Sequence, residues 1–244
     1  MTRGADLEAV VREAWTGSVR DEVRALLAVY ADELQEQDDP RGELIALDLL
    51  RTPTTDDHVR KAELMRAWLG PIAKHPNITT RFGLLGVAIS DTDPNLLDEV
   101  LASAAAPFVA SVSAFAFPHV LRVVAGALAD APRPWLGSLR LASPIELDDA
   151  TFEDPVIEDA LAAELVAATP VLRILEVSGR AMMRELAHPA LHRVVASSEQ
   201  DLGALVGAGA PLGVAELAVG LGSMPALPAS HLPALRHLDL ARST

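Results

Sequence analysis

One phrase recurs in the C-terminal part of the chain and constrains its fold more than any other feature. The three copies read T-P-V-L-R-I-L-E-V-S from residue 169, H-P-A-L-H-R-V-V-A-S from residue 188 and L-P-A-L-R-H-L-D-L-A from residue 232. Each has proline, then valine or alanine, then apolar residues in the order L-x-x-L-x-L. Apolar side chains at alternate positions indicate a strand with one buried face. The recurrence therefore predicts a repeat array in which each copy contributes one strand.

The same rhythm predicts seven strands separated by alanine-rich stretches with helical periodicity. These strands cover residues 84–90, 111–117, 136–142, 172–178, 191–197, 214–220 and 235–241. Their central apolar anchors are Val87, Phe115, Leu139, Leu175, Val194, Leu217 and Leu238. Successive anchors lie 28, 24, 36, 19, 23 and 21 residues apart. Helices are predicted at residues 94–104, at 118–130 and within 148–169, where the longest interval leaves room for one.

This rhythm and spacing resemble those of leucine-rich-repeat proteins, whose period is about 20–29 residues. The resemblance implies an α/β leucine-rich-repeat solenoid, with a parallel sheet on the concave side and helices on the convex side. The chain lacks one feature of the family. The ninth repeat position is usually Asn, but here it holds Pro144, Arg180, Glu199, Gly222 and Ser243. We therefore expect an irregular array whose loops satisfy backbone groups without an asparagine ladder.

The N-terminal part shows helical rather than strand periodicity. Residues 6–15 and 18–37 carry apolar side chains three and four positions apart, which indicates an amphipathic helix, the first of three expected in this part. Asp39 followed by Pro40 predicts the start of another helix, because Asp caps a helix and Pro suits its first position. A further helix is predicted from Asp56 or Asp57 to about Leu69.

A resemblance to a known domain covers about residues 5–74. Residues 29–45 read V-Y-A-D-E-L-Q-E-Q-D-D-P-R-G-E-L-I, and residues 68–71 read W-L-G-P. These motifs resemble the bacterial repeat-companion domain that typically precedes leucine-rich repeats in proteins of myxobacteria and planctomycetes. The chain departs from the family at two positions: Glu33 stands where the family usually has Trp, and Asp38 where it often has Gly. The resemblance implies an all-helical cap at residues 1–74, an irregular leucine-rich-repeat domain at 75–244, and no enzymatic activity.

The composition restricts the classes of partner. The chain has 34 Asp and Glu against 20 Lys and Arg, which gives a formal net charge of −14. Nucleic acids and anionic membranes both require clustered basic residues, and the sequence has no such cluster, so the expected partner is another protein. The absence of cysteine excludes disulfides, thiolate metal ligands and cysteine nucleophiles. A charged N-terminus lacks the apolar core of a signal peptide, so a cytoplasmic location is expected.

An acidic cluster surrounds the turn near residue 38. Its members are Asp32, Glu33, Glu36, Asp38, Asp39 and Glu43. Paired carboxylates can hold a cation or act as acid and base, so a metal-dependent hydrolase that uses Asp38 and Asp39 is one hypothesis. Alternatively, the carboxylates cap helices and pair with Arg41 or Arg24, as exposed charge runs usually do. The second interpretation is favoured, and no catalytic residue, metal or cofactor is predicted.

Three other motifs fit the repeat better than they fit a functional site. His188 and His192 are four residues apart, as in a zinc-binding helix, but Pro189 and the repeat phrase place them at the start of a strand. The glycines at 207–213 have the wrong spacing and order for a dinucleotide fingerprint. G-L-G-S at 220–223 lacks the closing glycine of a nucleophile elbow.

The residues of most functional interest alternate with the buried positions of the predicted strands. The predicted partner-binding residues are Ser138, Arg140, Ile174, Glu176, Arg193, Val195, Glu216, His237 and Asp239. On neighbouring parallel strands, Arg140 would lie beside Glu176, and Arg193 beside Glu216. Two interpretations stay open. The charges only pair with each other, at about 0.2–1 kcal/mol per pair, or they form a recognition surface.

Two hypotheses of function follow from the expected fold. The first is a non-catalytic protein-interaction scaffold that binds its partner on the concave repeat face. The second is a structural subunit or adaptor of a larger assembly, which docks through its C-terminal strand edge and the apolar segment 224–235. Both rest on the fold rather than on a chemical motif.

Overall fold

The computed structural model of the chain describes residues 3–14, 21–143, 156–178, 188–196, 214–221 and 234–242. Within these ranges it is an α/β protein with seven α-helices and one eight-stranded, mostly parallel sheet. The helices are α1 Arg3–Ala14, α2 Asp21–Glu36, α3 Pro40–Leu49, α4 Thr55–Leu69, α5 Leu96–Leu101, α6 Pro118–Ala129 and α7 Asp159–Ala168. The strands are β1 Ile78–Arg81, β2 Leu84–Ser90, β3 Val109–Phe115, β4 Ser138–Ala142, β5 Ile174–Ser178, β6 Arg193–Ala196, β7 Glu216–Leu221 and β8 His237–Arg242. None of the described helices is long and apolar enough to cross a membrane.

Four α-helices precede the first strand, whereas the sequence predicts three, because α1 and α2 are separate helices. The buried stripe of α2 consists of Val23, Leu27, Tyr30, Ala31 and Leu34. At the start of α3, the Asp39 side chain accepts a hydrogen bond from the backbone N–H of Arg41. Pro40 then occupies the first helical position, where the N–H that proline lacks would have no partner in the helix.

The start of α4 differs slightly from the prediction. Thr54, rather than Asp56 or Asp57, is the N-cap residue. Its hydroxyl accepts from the backbone N–H of Asp57, and the Asp57 carboxylate accepts from the backbone N–H of Thr54. This reciprocal capping box satisfies two N–H groups that would otherwise lack partners, so the helix begins at Thr55, one or two residues earlier than predicted.

The first strand, β1, was not predicted from the repeat rhythm. It pairs antiparallel with β2, and Arg81 lies opposite Leu84 across a two-residue loop. Both loop residues have positive φ, 54° for Phe82 and 69° for Gly83. That geometry matches the hairpin turns whose twist fits a two-stranded ribbon, and it explains the glycine.

The remaining strands run parallel, and the strand order across the sheet, from β1 to β8, is the same as their order in the chain. Each of the strands β4–β8 begins two residues after the first residue of the corresponding predicted strand. Leu172 and Leu191 instead close turns, since their N–H groups donate to the carbonyls of Thr169 and His188. Both leucines are still buried, so they anchor the turn rather than the strand. The five ninth-position residues lie outside the described residues.

The predicted register of β3 is wrong. Val112, rather than Phe115, pairs with Val87 on one side and Leu139 on the other. Val112 is 1% exposed and Phe115 is 56% exposed. Small side chains occupy the buried positions of β3, whereas its large aromatic residue faces outward. A prediction that takes the largest apolar residue as the anchor therefore assigns the wrong face of β3 to the core. With Val112 as the anchor, the first two repeat spacings become 25 and 27 residues.

One continuous hydrophobic core lies between the helices and one face of the sheet. It combines buried residues of the strands with buried residues of the intervening helices, including Leu97 of α5, Leu121 of α6 and Leu165 of α7. The strand residues at the anchor positions are Val87, Val112, Leu139, Leu175, Val194 and Leu217. Side chains along β2–β5 alternate between this core and the opposite face. The described helices of the repeat region therefore cover one face of the sheet and leave the other open.

A second hydrophobic cluster joins the N-terminal helices to the first strands. It contains Val11, Leu27 and Leu34 together with Phe82, Leu84, Ala110 and Trp135. These contacts cross the boundary at residue 74 that the sequence predicts. The division into two domains therefore stays a prediction, and the two segments share buried surface.

Candidate partner-binding face

The side chains that alternate with the buried ones form the second face of the sheet, which we call the open face. One row across it consists of Thr79, Gly86, Ser111, Ser138, Ile174, Arg193, Glu216 and His237. The adjacent row consists of Ala88, Ser113, Arg140, Glu176, Val195, Ala218 and Asp239. All nine predicted partner-binding residues lie in these two rows. The structure thus brings them together on one surface.

Both predicted ion pairs are present on the open face. The Arg140 Nε atom lies 3.0 Å from Glu176 Oε1, and the Arg193 Nε atom lies 3.9 Å from Glu216 Oε2. The arginine side chains are about half exposed, at 52% and 49%. Exposed pairs of this kind contribute about 0.2–1 kcal/mol and weaken with salt. Their charges therefore remain accessible to a partner and add little to stability.

An exposed aromatic residue, Phe115, adds to this surface, although the repeat rhythm predicts that it lies in the core. Phe115 aligns with Ser90 on one side and Ala142 on the other, at the C-terminal end of β3. Phe117 is also 43% exposed and stacks on His119, with 6.2 Å between ring centroids. Aromatic residues are enriched in protein interfaces relative to the rest of the surface. The alternation of Ser111, Ser113 and Phe115 was the signal that could have identified it.

The acidic cluster near residue 38 has structural partners. The Asp39 carboxylate caps α3 and accepts from Arg41 Nε at 3.0 Å. Arg41 is 7% exposed, and its guanidinium carbon lies 3.5 Å from the centroid of the Phe108 ring. Asp38 adopts a positive φ of 57° in the turn before the cap. Asp39 is therefore occupied by a helix cap and a buried cation, which fits the capping interpretation of the cluster.

Other residues of the motif at residues 29–45 also have packing roles. Gly42 lets α3 approach α2, because a Cβ there would lie 2.6 Å from the carbonyl oxygen of Ala31. Glu43 accepts from Arg60 at 2.6 Å, and this hydrogen bond lowers the pKa of Glu43. The Tyr30 hydroxyl lies 3.4 Å from Glu8 Oε2. The motif thus specifies how the N-terminal helices pack.

The histidine pair is not arranged as a metal site. His188 is 4% exposed, its Nε2 lies 2.7 Å from the Thr169 carbonyl oxygen, and its Nδ1 accepts from the Ala190 N–H. Both ring nitrogens are therefore engaged by the backbone, whereas His192 is exposed. Burial lowers the pKa of His188. Across the described ranges, no group of three or more His, Cys, Asp or Glu is placed to hold a metal ion.

The glycine-rich motif at 207–213 lies outside the described residues. Gly220 belongs to β7, and Ser223 of the G-L-G-S motif again lies outside them. Residues 224–233 of the predicted apolar docking segment are not described either.

Comparison with protein-family models, with curated proteins and with solved structures gives no match for this chain.

Proposed function

We propose that this chain is a non-catalytic protein-interaction scaffold of the leucine-rich-repeat type, capped by a repeat-companion domain, and that it binds a protein partner on the open face. The sequence resemblance supports the repeat and companion assignments. In such a solenoid the open face corresponds to the concave surface, which is where these proteins usually receive their partners.

The observation that carries the proposal is the arrangement of accessible charges on the open face. Two arginines and two glutamates alternate across β4–β7 in adjacent rows, with Phe115 at the C-terminal end of β3. A pattern of alternating charge gives specificity through complementary charges on the partner, and an aromatic anchor contributes affinity. The overall charge of −14 favours a partner with a basic surface.

The test exchanges the charges within each ion pair. One variant combines Arg140→Glu with Glu176→Arg, and a second combines Arg193→Glu with Glu216→Arg. Each exchange keeps opposite charges adjacent, so stability should change by less than about 0.5 kcal/mol. The immobilised protein is used to capture partners from the producing cell, which are identified by mass spectrometry. Capture should be lost when both exchanges are combined.

The matched control changes exposed acids on the helical side, Glu99→Lys on α5 and Glu164→Lys on α7. This control should capture the same proteins as the unmodified chain. If the combined exchange captures them equally well while remaining folded, the open face is not the binding surface.

A second candidate function is docking of the last described strand in a larger assembly. Leu238 of β8 is 41% exposed, although it aligns with Leu217, which is 2% exposed. Among the described strands, β8 pairs only with β7. An apolar side chain at an open sheet edge is a site where another chain can add. Light scattering of Leu238→Glu beside the unmodified chain tests this candidate, which predicts a smaller assembly for the variant and fails if both are monomeric.

A further inference from the structure

A cavity of about 300 Å³ opens along the first row of the open face, between β1 and β5. Five row members line it. The other lining residues precede a row member by one or two positions, except Arg81, which lies two positions after Thr79. The lining residues are Thr79, Arg81, Leu84, Leu85, Gly86, Ala110, Ser111, Gly137, Ser138, Arg173 and Ile174. This volume lies at the lower end of the range for ligand-binding cavities, about 300–1,000 Å³.

The missing side chain of Gly86 creates the floor of this cavity. A Cβ at Gly86 would lie 2.6 Å from Thr79 Oγ1 and 2.8 Å from Ser111 Oγ. The two hydroxyl groups thus converge over a glycine, where any other residue of the row would place a side chain. Ser138 supplies a third hydroxyl on the neighbouring strand. Hydroxyl groups can donate to an acceptor that enters the cavity.

The charged lining residues are both arginines, in a protein whose net charge is −14. Arg81 contacts the Phe82 ring, with 5.1 Å between its guanidinium carbon and the ring centroid. Within the part of the chain that the structure describes, no carboxylate forms an ion pair with Arg81. A guanidinium presents a planar fork of donors that matches a carboxylate.

We propose that this cavity binds a carboxylate that carries a short apolar body. Arg81 and the hydroxyl groups over Gly86 receive the carboxylate, and Leu84, Leu85 and Ile174 contact the apolar part. The ligand is a small organic acid or the C-terminal residue of a peptide, since both present this chemistry. The cavity includes Ser138 and Ile174 of the predicted partner-binding residues, but the four residues of the two ion pairs lie outside it, so different variants test the two proposals.

The experiment titrates the full chain with hexanoate, and follows the backbone amide signals of Gly86 and Gly137 by nuclear magnetic resonance. Hexanamide has the same apolar body without the charge, and inorganic phosphate has the charge without the body. Arg81→Gln removes the guanidinium, and Gly86→Val fills the floor. Arg51→Gln is the matched control, because Arg51 is exposed outside the cavity.

Hexanoate should shift both glycine signals, and its Kd should weaken by about tenfold or more in Arg81→Gln and Gly86→Val. The Kd should be unchanged in Arg51→Gln. The proposal is overturned if hexanoate causes no shift, if hexanamide or phosphate binds as tightly, or if both cavity variants bind normally. Should one cavity variant fail to fold, Ser111→Val replaces it and the same result is required.

A third arm distinguishes the two sources of the carboxylate. Acetyl-Ala-Leu is titrated as the free acid and as the amide. Tighter binding of the free-acid peptide than of hexanoate identifies a peptide C-terminus, whereas tighter binding of hexanoate identifies a small organic acid. Equal binding of the two peptide forms counts against the proposal.

Discussion

The Trp135 indole Nε1 lies 3.3 Å from Glu8 Oε1, and this hydrogen bond joins segments 127 residues apart in sequence. Trp135 is 1% exposed and precedes β4, whereas Glu8 is on α1. The same carboxylate lies 3.5 Å from Arg12. The Arg12 guanidinium is in turn 5.6 Å from the centroid of the Trp135 ring. The N-terminal helix is therefore fixed to the sheet region by a polar contact within a hydrophobic cluster.

This contact predicts a measurable coupling between α1 and the residue before β4. Glu8→Ala should cost about 1–3 kcal/mol, because it leaves the buried indole N–H without an acceptor. A double-mutant cycle with Trp135→Phe, measured by denaturant unfolding, should give a coupling energy of about 0.5–3 kcal/mol. Glu99→Ala on α5 serves as an exposed control. Strict additivity of Glu8→Ala and Trp135→Phe would show that the hydrogen bond does not stabilise the fold.

Tyr30 provides a prediction about alkaline pH. Burial, supported by the nearby Glu8, raises its pKa from 10.0 to about 12, against the opposing effect of Arg41. The folded state therefore holds the phenolic proton more tightly than the unfolded state. Its contribution to stability, about 3 kcal/mol, is complete below pH 10.0 and is lost as the pH rises towards 12.

The measurement is direct because the chain has one tyrosine. Ultraviolet absorbance of the phenolate should show its midpoint near pH 12 in the folded protein. After unfolding in denaturant, the midpoint should return to about 10. A midpoint near 10 in the folded protein would mean that Tyr30 is accessible to solvent.

His188 provides the complementary prediction at acid pH. Burial lowers its pKa below the usual 6.5, despite the hydrogen bond to Thr169. The unfolded state then binds more protons than the folded state, so stability falls as the pH drops below 6.5 and levels off below the folded pKa. Denaturant unfolding at a series of pH values should show that the free energy of unfolding falls less steeply with decreasing pH for His188→Gln than for the unmodified chain. His192→Gln, at an exposed position, should decline like the unmodified chain, and parallel curves for all three proteins would refute the prediction.

Replacement by alanine should change the stability of the protein in opposite directions at two glycines, Gly42 and Gly126. Gly42→Ala would place a Cβ 2.6 Å from the Ala31 carbonyl oxygen and 2.7 Å from the Gln35 backbone nitrogen, so α2 and α3 must separate. We expect a loss of about 1–3 kcal/mol. Gly126→Ala on α6 has nothing within 4 Å of its Cβ, and should gain about 0.5–1 kcal/mol from helix propensity. Thermal unfolding of both variants tests this, and equal effects would contradict the close packing of α2 and α3.

The late strands could be predicted from sequence because their buried face is built from Leu and Val at fixed intervals. The cross-strand pair of Arg140 and Glu176 followed from that register, since parallel strands in phase place equivalent positions side by side. The early strands could not be assigned in the same way. In β3 the buried positions hold Val112 and Ala114, whereas Phe115 is exposed, so the largest apolar residue marks the wrong face.

Two features depend on information that periodicity does not contain. β1 is specified by its hairpin turn, where Gly83 adopts φ 69°, rather than by an L-x-x-L-x-L rhythm. The cavity depends on Gly86 standing beside Thr79 and Ser111, which requires the pairing of three strands to be known. The sequence therefore predicts which residues face outward more readily than it predicts cavities formed between residues of neighbouring strands.

Site-specific photocrosslinking can show whether a protein partner binds on the open face. A photoreactive residue replaces Val195 on the open face in one protein, and Glu164 on the exposed side of α7 in another. Irradiation in the producing cell should yield a covalent adduct with a partner protein from position 195 and none from position 164. An adduct from position 164 alone would refute binding on the open face, because it would place the partner on the helical side of the sheet.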